Sequence, residues 1–190
     1  MTGAGALTWL DRLLQRWRIN TALAHISAGA RVCDIGTYDG TLFAIAGTRI
    51  ASGVGLDPEL MVGEVRSGPI QLRRGRFPAD LPTFESFDAI TALAVLEHIP
   101  RDGLLHLAVD VAALLTHGGR FIVTCPTPTV DRVLAVLTAL HLVKGQSLEQ
   151  HYGLHPDELI PIFGTHLTLT VNEPFQLGLN RLLVFVKEKS

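Results

Sequence analysis

The chain has 190 residues, 47% of them hydrophobic and 18% charged, which excludes a disordered segment and suits one domain around a single core. A formal net charge of −2 excludes a general polyanion binder, so no nucleic-acid partner is expected. Two cysteines far apart, Cys33 and Cys125, exclude a disulfide scaffold or zinc module and read as reduced, buried thiols.

Met1 to Gly5 lack the basic start and apolar run of a secretory signal, and a cytoplasmic location is expected. Residues 7–26 then place Leu7, Leu10, Leu13, Leu14 and Trp17 at helical spacing, with Arg12 and Arg16 on another face and Thr8 positioned to cap. This N-terminal amphipathic helix reads as a lid on its own domain, while Trp9 and Trp17 beside arginines leave peripheral membrane contact open. Residues 31–35 read as a strand running into a glycine loop from Gly36 to Gly40, followed by a helix over 41–48. A strand over 52–57 ending in Asp57, a helix started by Pro58 and a third strand over 69–72 come next. Residues 87–93 are too continuously apolar for a half-exposed strand, so that strand belongs inside a sheet.

A helix over 101–115, closed by Gly118 and Gly119, leads to a fifth strand over 120–124 and the stiff run Cys125, Pro126, Thr127, Pro128. Residues 130–143 read as an apolar helix, 144–153 as a polar loop, and 156–163 as a helix with proline first. The last strands, 167–171 and 181–187, are joined by a link too short for a crossover and pair antiparallel. The longest apolar stretch is about half of the roughly 20 residues a membrane-spanning helix needs, so no transmembrane segment is expected. The apolar helix also leaves a homodimer contact open.

Alternating strands and helices imply a doubly wound α/β sheet covered on both faces, with its ligand site at the carboxyl ends of the strands. That rule gathers residues 34–40, 57–58, 76–78, 93–98 and 125–128 into one crevice. In the first loop, Gly36 and Gly40 allow close backbone approach, and Asp57 stands 21 positions beyond Gly36, a spacing that suits ribose hydroxyls. The glycine spacing is G-x-x-x-G rather than G-x-G-x-x-G, and Asp34 and Asp39 would repel a diphosphate. A ligand carrying cationic groups and a ribose, such as S-adenosylmethionine, fits better than a dinucleotide, and the phosphate-loop pattern G-x-x-x-x-G-K-[ST] is absent.

With these motifs the sequence resembles the class I S-adenosylmethionine-dependent methyltransferases, particularly the small-molecule branch that includes quinone-biosynthesis methyltransferases. The matching parts, in order, are residues 32–40, Gly55-Leu56-Asp57, Phe87-Asp88-Ala89-Ile90, Val95-Leu96-Glu97-His98-Ile99 and residues 118–123. The resemblance implies a Rossmann-like seven-stranded sheet with the last strand antiparallel. It implies that Asp34, Gly36, Thr37, Tyr38 and Gly40 hold the methionine part, that Asp57, with Pro58 beside it, holds the ribose, and that Phe77 and Pro78 border adenine. Leu93 and Glu97 would face the methionine end, and residues 127–153 would form a substrate cap.

Three departures from the family pattern stand out. Tyr38 replaces a middle glycine, which stiffens the loop. Around Arg76 and Phe77 an acidic residue near adenine is missing, leaving backbone and Asp80 to contact the base. Ala94 stands where metal-dependent relatives carry a carboxylate, so no metal site is expected. The expected function is methyl transfer from S-adenosylmethionine, with S-adenosylhomocysteine as product, to a small, apolar acceptor. The candidate bases are His98, His151 and Tyr152, with loop shaping by Glu97 and His98 equally open. A metal pair at His151 and His155 is disfavoured because Pro156 interrupts a helix through both, and His155 reads rather as a helix cap. The alternatives are a non-catalytic S-adenosylmethionine-binding module of the same fold and a nicotinamide-dependent oxidoreductase.

Overall fold

The computed structural model describes residues 9–82, 86–127 and 154–188. Its elements are α1 (Trp9–Leu23), β1 (Arg31–Ile35), α2 (Thr41–Ala46), β2 (Ser52–Asp57), β3 (Val65–Ser67), β4 (Ile70–Arg74), β5 (Phe87–Leu93), α3 (Arg101–Leu114), β6 (Leu115–Pro126), α4 (Pro156–Phe163), β7 (Thr168–Phe175) and β8 (Asn180–Val186). One sheet of eight strands runs in the order β3-β4-β2-β1-β5-β6-β8-β7. From β1 the chain winds outward through β2 to β4, then returns to place β5 on the other side of β1. The carboxyl ends of β1 and β5 therefore flank the switch point, where an open α/β sheet leaves a crevice.

Period-two alternation in the strands builds two cores. Cys33, Ile35, Phe121, Val123, Leu183 and Phe185 point to the face covered by α3 and α4, while Val32, Ile122, Leu182 and Val184 point to the face covered by α1 and α2. On the first face Phe121, Phe163 and Phe185 meet with ring centroids 4.8 to 6.4 Å apart, joining β6, α4 and β8. Leu159, Ile162 and Phe163 of α4 reach that core at helical spacing, and His155 caps the helix by accepting the Asp157 N–H at Nδ1.

Several expectations are corrected. The sheet has eight strands rather than seven, the added one being β3, antiparallel to β4, while β7 and β8 pair antiparallel as expected. Pro58 starts no helix: the carbonyls of Pro58 and Leu60 accept from the Arg74 guanidinium, and Gly63, at φ +70°, turns the chain into β3. Gly118 and Gly119 do not close α3, which ends at Leu114; they lie inside the longer β6, where the Gly118 N–H donates to Lys187 O. Residues 1–8 and 128–153, including Thr8 and the expected apolar helix and loop, lie outside the described residues.

Candidate active site

β1 delivers Asp34 to the crevice in a buried position, 4% exposed, beside its register partner Thr91 of β5. The Thr91 hydroxyl donates to Asp34 Oδ1 at 2.5 Å. Burial pushes the Asp34 carboxyl up to about 7; the Thr91 and Thr37 hydroxyls oppose that rise, and the negative charges of Asp57 and Asp39 add to it.

The loop that follows is held from both sides. The Gly36 and Thr37 N–H groups both donate to Leu56 O, at 2.8 and 3.2 Å. Gly36 has φ +74°, and a Cβ there would lie 2.3 Å from Val95 Cγ2, so the loop after β1 and the loop after β5 touch at this glycine. Thr37 packs over Gly55, where a Cβ would meet its Oγ1 at 2.7 Å, which is why β2 carries glycine at that point. Tyr38 adopts the left-handed conformation, φ 51°, that a glycine would take freely; its N–H donates to Asp57 Oδ2 at 2.9 Å. The other Asp57 oxygen accepts the Glu59 N–H at 2.7 Å. Asp39 accepts the Thr41 N–H at the start of α2.

These residues line a cavity of about 1040 Å³. Of the residues expected to meet a cofactor, Asp34, Gly36, Thr37, Tyr38, Asp57, Pro58, Phe77 and Leu93 line it, and so does His98. Three do not. Gly40 serves the turn into α2, with φ +73° and Leu72 packed against it. Pro78, joined to Phe77 by a cis peptide bond, is not part of the lining. Glu97 is buried in the turn Leu96–His98, close enough to Arg18 and Cys125 to act on both electrostatically. Asp80 is also turned away from the cavity, its carboxylate accepting the Arg76 N–H at 2.8 Å. His151 and Tyr152 lie outside the described residues.

Sequence reasoning missed two walls. Gln15, Arg18 and Ile19 enter from α1, and Gly103, His106, Leu107 and Asp110 form a stripe along α3. The spacing of three and four residues in the α3 stripe is the signal that could have found it. Burial lowers the Arg18 guanidinium while the negative charge of Glu97 raises it, and Arg18 Nε has no partner among the described residues. Five carboxylates, those of Asp34, Asp39, Asp57, Glu59 and Asp110, face two arginines, Arg18 and Arg76, around the cavity. Such a lining disfavours a diphosphate and suits a ligand with cationic groups. Among the described residues no group of three or more His, Cys, Asp or Glu side chains is arranged to hold a metal ion.

A family model described as a methyltransferase domain matches residues 7–169. The chain belongs to this family. As a class I S-adenosylmethionine-dependent methyltransferase, it uses that compound as methyl donor. Solved structures with the same fold include magnesium protoporphyrin IX methyltransferase from Synechocystis PCC 6803 with bound S-adenosylhomocysteine. That match has TM-score 0.71 and 19% identity and covers 98% of this chain and 90% of that one. The N-methyltransferase NodS from Bradyrhizobium japonicum WM9, also with S-adenosylhomocysteine, has TM-score 0.66 and 14% identity over 98% of this chain and 94% of that one. A chain of the Haloferax volcanii complex between the Trm112 methyltransferase activator and the putative methyltransferase has TM-score 0.69 and 16% identity over 92% and 91%. No curated protein matches the sequence.

Proposed function

We propose that this methyltransferase acts on a small, apolar acceptor, with its cofactor seated at the ends of β1, β2 and β5. The observation that carries the reading is the single cavity that joins Asp34, the Gly36 loop and Asp57 to an apolar wall of Phe77, Leu93, Val95 and Ile99. Its volume of about 1040 Å³ reaches the upper end of small-molecule pockets, about 300–1,000 Å³, which leaves room for an acceptor beside the cofactor. The acid-rich lining fits the ammonium and sulfonium, and the backbone-held Asp57 fits the ribose hydroxyls.

When bound, the sulfonium supplies an activated methyl group together with its leaving group. The chain's own residues orient and shield: Asp57 and the loop 36–38 fix the nucleoside, ionised Asp34 holds the cationic end, and Leu93 and Val95 keep water from the transfer line. Where the acceptor is a hydroxyl, His98 on the cavity wall is, of the three candidate bases, the one among the described residues. Residues 127–153 belong to this reading as the acceptor cap. The Thr127 N–H and hydroxyl donate to Leu179 O and Gly178 O, at 2.9 and 2.7 Å, so that segment starts at the carboxyl edge of the sheet. Two buried free cysteines accord with the reducing cytoplasm.

Calorimetric titration with S-adenosylmethionine, S-adenosylhomocysteine and NAD, followed by mass spectrometry of small-molecule extracts incubated with labelled cofactor, tests the reading. Binding of the first two but not NAD, with label appearing in an apolar small molecule, is expected. Label appearing only in protein or nucleic acid when whole extracts are supplied would reject the acceptor class.

A further inference from the structure

Helix α1 presents two different faces. Ile19, Ala22 and Leu23 are buried in the core, and Gln15, Arg18 and Ile19 reach the cavity wall. On the opposite side Trp9, Leu13 and Trp17, spaced four apart, remain 77%, 53% and 44% exposed. Arg12 and Arg16, also four apart, stand exposed on the adjoining face and edge that stripe on one side. Asp11, the helix's one acidic residue, falls on the other side by spacing. An exposed stripe of two tryptophans and a leucine edged by arginines has the composition of a helix lying in a lipid interface.

A further exposed apolar residue belongs to a hairpin that touches α1. In the hairpin between β7 and β8, Leu177 is 93% exposed and has φ +59°, a left-handed conformation that asparagine or glycine would adopt at less cost. The conformation closes the hairpin, since the Gly178 N–H donates to Phe175 O across Gln176 and Leu177, both left-handed, and the turn leaves the Leu177 side chain at an exposed tip. The hairpin is fastened to α1 through Gln176, whose Nε2 donates to Leu14 O at 2.7 Å.

We propose that the outer face of α1, together with the Leu177 tip, docks on an anionic lipid surface. Charge selects this occupant: a second copy meeting the same face would gather the Arg12 and Arg16 cations of both copies in one interface, whereas anionic headgroups complement them. Docking would hold the cavity one helix diameter, ~10 Å, from the bilayer, where an apolar acceptor would be concentrated. That consequence rests on the acceptor reading above, but docking itself does not, and its test needs no turnover.

Trp9 and Trp17 are the chain's two tryptophans, so tryptophan emission, excited selectively over the two tyrosines, reports on this face alone. Titration with phosphatidylglycerol-containing vesicles should shift the emission to the blue, and brominated acyl chains should quench it; pure phosphatidylcholine vesicles should do neither. R12Q/R16Q should weaken binding about 25-fold, roughly fivefold for each cation near an anionic surface. L177N, which suits the left-handed position, should weaken vesicle cosedimentation while leaving the melting temperature unchanged or higher. Unchanged emission with anionic vesicles, or equal binding of the wild type and both variants, overturns the proposal. A blue shift that grows with protein concentration in the absence of lipid overturns it in favour of self-association. Binding of an acidic protein without any vesicle response overturns it in favour of a protein partner.

Discussion

Asp34 and Asp57 end neighbouring parallel strands and are both buried, yet the fold treats them differently. Both Asp57 oxygens accept backbone N–H groups, from Tyr38 and Glu59, so the carboxylate holds the two loops that surround it. Asp34 has the Thr91 hydroxyl as donor, and burial pushes it up to about 7. Oriented N–H dipoles thus make Asp57 a fixed part of the frame, whereas burial makes Asp34 hold its proton up to about pH 7. For a ligand with a ribose at one end and an ammonium at the other, the first offers position and the second a cation site that competes with a proton.

The sharpest way to break this arrangement is Gly36→Ala, which strikes the loop between the two. A left-handed alanine costs about 1–2 kcal/mol, and forcing its methyl into Val95 costs about 1–3 more, so denaturant titration should show a loss of about 2–5 kcal/mol. An unchanged midpoint would mean that Val95 gives way and the loop is no rigid frame. Asp57→Ala comes next, weakening S-adenosylhomocysteine binding by about 1.5–3 kcal/mol in calorimetry through lost charge-assisted hydrogen bonds. Wild-type affinity in the folded variant would separate Asp57 from the ribose.

The Asp34 half of the comparison is tested by pH. Affinity for S-adenosylhomocysteine should rise as pH increases from 6 to 8, because the ammonium needs the ionised carboxylate, and Asp34→Asn should flatten the profile. Stability of the ligand-free protein should move the opposite way. The folded state holds this proton more tightly than the unfolded chain does, so its contribution falls as pH rises from the ordinary carboxylate range towards about 7, as thermal melts would record. A flat affinity profile in the wild type would place the cation elsewhere. The smallest effect belongs to Tyr38→Gly: relief of the left-handed conformation and the added entropy of the unfolded glycine nearly offset, leaving stability within about 1 kcal/mol. A larger loss would show that the Tyr38 ring, rather than its backbone N–H, holds the loop.

Sequence alone determined the order of the described elements, apart from β3 and the helix expected after Pro58, together with the two glycines of the first loop and the carboxylates at the ends of β1 and β2. These signals are local: apolar runs alternate with period two, glycine marks backbone that side chains would block, and a strand's last carboxylate needs no distant partner to be recognised. β3 escaped because all three of its residues are exposed, leaving no apolar pattern to read. Tertiary structure alone decided which residues share the cavity. It brought Arg18 into the site from α1, turned Asp80 back onto Arg76, and buried Glu97 behind the wall that His98 lines. It also chose the outward side for the tryptophans of α1, although the same spacing fits a helix packed on either side. Such outcomes depend on which distant surfaces meet and how much water their contact removes, and helical or strand periodicity carries no record of that.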